Sequence, residues 1–117
     1  MCWVDKQCIK YIANKDITVF KSMRKAGINK CISLVKKFEY KYEQLYTLDK
    51  EIVVGFVDSL YIIHKGFHSY SIEYKDTLDE YYEYWVRCTI PKGSVYYLNE
   101  NTKEIVSNQI IIHKPTR

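Results

Sequence analysis

Residues 85–90 alternate strictly, with Trp85, Arg87 and Thr89 on one side and Val86, Cys88 and Ile90 on the other. A period of two belongs to a strand that buries one face and wets the other. Pro91-Lys92-Gly93-Ser94 then interrupts it with turn residues, a proline of fixed φ and a glycine able to take positive φ. Val95 to Leu98 returns as a strand, Asn99 to Lys103 turns again, and Ile105 to Ile112 is a last apolar run that closes the sheet. The last third therefore reads as a meander, and the fold has to be built around an antiparallel sheet.

Upstream, Ile17 to Met23 (ITVFKSM) reads as a strand, and Gly27 with Asn29 marks a turn. Phe38, Tyr40 and Tyr42 alternate with Glu39 and Lys41, again one dry and one wet face. Glu51 to Phe56 reads as a buried strand, and Asp58 to His64 as a strand-like or short helical run. Gly66 breaks the pattern before Phe67-His68-Ser69-Tyr70, which resembles a strand edge. Two stretches suit helices. Residues 5–15 place Cys8, Ile9, Ile12 and also Ala13 on one side, and residues 71–84 offer Asp76 or Thr77 as a cap before Leu78, Tyr81, Tyr82 and Trp85. The expected fold class is α+β: a small, twisted, mostly antiparallel sheet with one or two short helices.

The 117 residues suit a single domain, 1–117. Hydrophobic residues make up 47% of them, enough for a core and too many for general disorder. No run approaches the roughly 20 apolar residues of a membrane span. The formal charge of +4 favours anionic partners. The only adjacent basic pairs are Arg24-Lys25 and Lys36-Lys37, a footprint too thin for a duplex nucleic acid and better suited to a small anion. Cys2, Cys8, Cys31 and Cys88 follow no signal peptide, which points to a reducing cytoplasm. Their spacing is not that of a zinc site, and no metal or other cofactor is expected. Cys88 lies in the apolar alternation and reads as a buried thiol. Cys2 would become an N-terminal nucleophile only if Met1 were removed, and would then need an oxyanion hole.

Twelve tyrosines are the heaviest compositional bias, concentrated at Tyr81-Tyr82, Tyr84 and Tyr96-Tyr97. Tyrosine offers flat amphipathic area for stacking or interfaces, and equally fills half-buried strand positions. His68 beside Ser69 at a glycine-marked bend suits a phosphate or ribose hydroxyl, or a structural bond to the backbone. Lys92 and Gly93 form a basic turn whose amides can cradle an anion, or a solvated hairpin tip. The sequence carries no Ser-His-Asp pattern, P-loop or dinucleotide fingerprint, so the reading leans away from an enzyme.

The segments ITVFKSM, GFHSYS, YWVRCTIPKGSVYY and SNQIII resemble small uncharacterised proteins of bacteriophages and their bacterial hosts. In that group a D-[IV]-x-V-[YF]-K strand, a GFHS[YF] bend and a C-x-IPKGS-x-YY hairpin follow one another over a span matching residues 16–112. More remotely, the layout is similar to the ADP-ribosyltransferase fold. That resemblance puts Lys21 at the position of the first-strand arginine and His68-Ser69-Tyr70 at the Ser-Thr-Ser motif. Arg87 falls where the catalytic glutamate should stand, and a guanidinium cannot stabilise the reacting ribose as that carboxylate does. What the resemblance implies is a cleft that keeps phosphate recognition and loses transfer.

The resulting expectation is a non-enzymatic, cytoplasmic, homo-oligomeric binder that sequesters a nucleotide-like immune signal, a phage counter-defence sponge. Its expected ligand contacts are Lys21, His68, Ser69, Tyr70, Arg87 and Lys92. The alternatives are a divergent transferase or nucleotide-cleaving enzyme using His68 or an acid such as Glu83, and an inhibitor that binds a host protein through its tyrosines.

Overall fold

The computed structural model describes residues 3–5, 9–25, 30–33, 39–63, 65–71, 83–100 and 102–114. Among them are thirteen strands and no helix. In chain order these are β1 (Trp3–Asp5), β2 (Lys10–Ile12), β3 (Ile17–Lys25), β4 (Lys30–Ser33), β5 (Glu39–Lys41), β6 (Leu45–Thr47) and β7 (Val54–Val57). They continue with β8 (Leu60–Ile63), β9 (Phe67–Tyr70), β10 (Glu83–Ile90), β11 (Val95–Leu98), β12 (Glu104–Ser107) and β13 (Gln109–Ile112). The α+β expectation is overturned, and the ADP-ribosyltransferase-like layout falls with it. Within the expected helix 5–15, residues 10–12 are the strand β2, held opposite β11 with Tyr11 stacked on Tyr96. Three residues of helical spacing fit a strand equally well, and a distant partner decides between them. Of the expected helix 71–84, residues 72–82 lie outside the described residues, and Glu83 and Tyr84 open β10.

The large sheet runs β2-β11-β12-β9-β3-β10-β13-β6, with β4 beside the end of β3 and β5 beside β4. Its longest ladder is β3 against β10, from Glu83 opposite Arg24 to Ile90 opposite Ile17. The strand 67–70 is no edge: it lies between β12 and β3.

β12 and β13 are separated by Asn108 alone, yet β9, β3 and β10 stand between them in the sheet. The sheet must therefore curl until its two sides meet along one bent strand. Asn108 makes the corner. Its amide donates to the Val95 carbonyl, its side-chain oxygen accepts from the Val95 amide, and the Ser107 hydroxyl donates to the Gln109 carbonyl. The extra residue acts as a bulge and reverses the alternation. Ile105 faces the barrel core before it, and Ile110 and Ile112 after it. The unbroken strand expected over 105–112 is in fact two strands in opposite phase.

Inside the curl lie Val19, Met23, Phe67, Val86, Cys88, Ile90, Ile105, Ile110 and Ile112. A three-stranded sheet, β1-β8-β7, supplies Ile63 to a second core with Val106 and Tyr97. All four residues of β12 are buried because it is covered on both faces, Ile105 by one core and Val106 by the other. Among the described residues no helix is long and apolar enough to cross a membrane.

Candidate functional site

Directly opposed residues of neighbouring strands share a face of the sheet. The register therefore assigns each expected ligand residue to a side. Glu104 stands opposite Tyr70, Tyr70 opposite Phe20 and Phe20 opposite Arg87. The His113 amide donates to the Arg87 carbonyl, carrying the row one strand further. All five side chains project away from the barrel core, and His68 shares their face through its place beside Val106.

Lys21 and Ser69 belong to the opposite face, with Val19 and Phe67. The Lys21 ammonium donates to the His68 carbonyl at 2.6 Å and lies 5.9 Å from the centre of the Tyr40 ring. Its aliphatic stem fills the curl while its charge finds a carbonyl and a π face. The Ser69 hydroxyl is fully buried and makes no hydrogen bond. Neither can reach a ligand held by His68 or Arg87.

The Lys92 turn is closed to anions as well. The Lys92 amide donates to the Asp16 carboxylate, Gly93 to the Ala13 carbonyl and Ser94 to the Pro91 carbonyl. Every amide of the turn is spent on the protein, with Gly93 at φ +91°. What remains at Lys92 is an exposed ammonium on a hairpin tip.

His68 has its Nδ1 3.7 Å from the Glu104 carboxylate, a carboxylate that is itself buried. Both ring nitrogens are buried and neither makes a hydrogen bond. Of the six expected contacts, Tyr70, Arg87 and His68 share a face and reach the surface, but His68 does so with both ring nitrogens buried, which leaves Tyr70 and Arg87 to meet a ligand. The row adds Phe20 between them, and Trp85 meets Tyr70 edge to face at 5.8 Å. Arg87 is exposed and the three rings are half-buried.

At the far end of the row lies a cluster that the sequence did not announce. His113 Nε2 is 2.6 Å from the Thr89 hydroxyl, and its Nδ1 is 2.9 Å from Glu43 Oε2. The other oxygen of Glu43 accepts the Lys114 amide at 2.8 Å. The His113 hydrogen bond, followed by the Lys114 amide, holds the Glu43 carboxyl below its ordinary value, and the Arg87 charge adds a smaller pull. Glu43 sits in the left-handed region, φ +61°, with its own amide donating to the Ile112 carbonyl. These residues are 24 and 70 positions apart in the chain, so no local motif could have found them.

Among the described residues no three His, Cys, Asp or Glu side chains converge on a metal-sized point. What the register defines is a curled antiparallel sheet whose outward face carries Tyr70, Phe20 and Arg87 in a row across three strands. No family model, curated protein or solved structure matches this chain.

Proposed function

We propose that the outward face of β3, β9 and β10 binds a small anion carrying a flat ring, a nucleotide-like ligand, and holds it without turnover. The observation that carries this is the Arg87–Phe20–Tyr70 row, an exposed guanidinium in register with half-buried rings. A guanidinium can make two parallel bonds to phosphate oxygens. Rings beside it give a base a surface to lie on, worth about 1–3 kcal/mol per stacked base. The net charge of +4 favours the approach of such an anion.

The biological role that accompanies this chemistry is sequestration of a nucleotide-like signal in the cytoplasm, a sponge role drawn by analogy with small, mildly basic phage proteins that hold such signals. Self-association belongs to the same reading. It is supported by the exposed apolar side chains of Phe56 and Val57 on β7 and of Val53 just before it.

Native mass spectrometry against a panel of cyclic and ADP-ribose-type nucleotides tests this directly. The expected result is a mass increase equal to one intact ligand per subunit, with the ligand recovered unchanged after heat denaturation. Arg87→Ala should weaken binding about 10- to 100-fold, the loss of one charge-assisted hydrogen-bonding pair. Binding that survives Arg87→Ala, or a ligand recovered chemically altered, overturns the reading.

A further inference from the structure

We propose that Thr89, His113 and Glu43 form a proton relay that makes the Thr89 hydroxyl an acceptor of acyl groups from activated carboxylic esters. The inference goes beyond ligand retention. It concerns carbonyl chemistry, whereas a simple nucleotide presents phosphoesters and no acyl group.

The direction of the relay follows from what each group can do. An ionised carboxylate only accepts hydrogen bonds, so the proton between Glu43 and His113 belongs to His113 Nδ1. In the neutral imidazole Nε2 is then bare, and the 2.6 Å bond to Thr89 has the hydroxyl as its donor. That is the arrangement in which an imidazole can remove the hydroxyl proton as the oxygen attacks.

One further feature favours a working relay over a simple tie at the end of β13. A tie would need only one carboxylate oxygen on the Lys114 amide, yet the second oxygen of Glu43 is committed to His113. Arg87 lies two residues before Thr89 on the same strand face, about 7 Å along the strand. Its guanidinium is therefore placed to steady a negative oxygen developing near Thr89.

The reaction balances without an oxidant or reductant. Thr89 Oγ1 bonds to the ester carbonyl carbon as its proton passes to His113 Nε2. The bond from that carbon to the leaving oxygen breaks, and His113 returns the proton to the departing alkoxide or phenoxide. Water later attacks the acyl-threonine through the same imidazole, releasing the carboxylic acid and restoring the hydroxyl.

The test uses para-nitrophenyl acetate as the acyl donor, with nitrophenolate release and intact and peptide mass spectrometry as readouts. An acetyl group mapped to Thr89 and removable by hydroxylamine is expected. Thr89→Val should abolish that modification and Thr89→Ser should retain it. His113→Gln should slow acylation about 100-fold or more, the usual worth of a positioned general base. Glu43→Gln should slow it as well, since an amide donor facing Nδ1 selects the tautomer whose Nε2 carries the proton and cannot take one from Thr89. Acetylation confined to lysines and tyrosines, at a rate unchanged in Thr89→Val, overturns the proposal. If Thr89→Val fails to fold, the peptide map of the parent protein and of Thr89→Ser decides the matter in the same way. Nucleotide binding is read on Thr89→Val, which leaves Arg87, Phe20 and Tyr70 in place, and acylation is read on the Thr89 peptide of the parent, so the two proposals fail independently.

Discussion

His68 and His113 lie on the same face of the sheet, and each has a glutamate beside it, but the two pairs are built in opposite ways. His68 and Glu104 stand on adjacent interior strands, with the carboxylate buried, both imidazole nitrogens unbonded and 3.7 Å between the nearest atoms. His113 and Glu43 meet where a turn and a strand end come together, with both imidazole nitrogens bonded and the carboxylate largely exposed. At the centre, the strands fix the spacing and the polar atoms accept whatever distance results. At the margin a turn residue, Glu43, brings its carboxylate to the strand end, where both of its oxygens find donors. Polar geometry in a β-protein is therefore sharpest where packing is weakest.

The largest effect should come from the support of the central pair. Gly66 leads into β9 at φ +133°, and a Cβ there would overlap the Val106 side chain. Gly66→Ala should therefore cost about 3 kcal/mol or leave the protein unfolded, read as a denaturation midpoint. Next is Val106→Ala, which opens space in the fully buried layer next to His68. A loss of about 2 kcal/mol is expected by urea titration.

Replacing the central pair itself has the opposite sign. His68→Leu with Glu104→Met removes poorly matched buried polar groups and should leave stability unchanged or raise it by about 1 kcal/mol. A loss above about 2 kcal/mol in that double variant would show the central pair to be as well made as the marginal one, and the contrast would collapse.

The smallest effect belongs to the marginal pair. Because the Glu43 carboxyl is held below its ordinary value of 4.5 when folded, its contribution is present above that value. It is lost as pH falls through the lower folded value. Glu43→Gln should thus reduce the melting temperature slightly at neutral pH, and the gap to the parent should close in acid. With so exposed a carboxylate the gap stays small, and added salt should narrow it.

The strands of the last third were legible because their alternation is local. Val86, Cys88 and Ile90 are buried as their spacing requires, and Ser94 donates to Pro91 across a turn with Gly93 at positive φ. The β2 strand was not legible, since of its apparent helical stripe Ile9 and Ile12 are exposed while Ala13, just past the strand, is buried. Lys21 misled for a related reason. A lysine in an alternating strand looks outward, and only the Tyr40 ring and the His68 carbonyl, both remote in sequence, make an inward ammonium tolerable. The phase reversal at Asn108 left no mark in a run that is apolar on both sides of it. Arg87 and Tyr70 could be named singly from residue chemistry. That they share a row through Phe20 depends on a register no local pattern carries.

The pairing of β3 with β10, and of Ile12 with Val95, also governs the order in which the chain can be assembled. Residues 10–25 leave the ribosome well before residues 83–98, so β2 waits for its partner, and β3 has the short β4 and then one pairing with β9, until most of the described chain exists. Such distant pairings fold slowly, on the scale of milliseconds to seconds. Until the bent strand at Asn108 closes the curl, every nascent molecule offers open strand edges to its neighbours. For this protein, recovery of folded material should depend on how long translation leaves those edges unjoined.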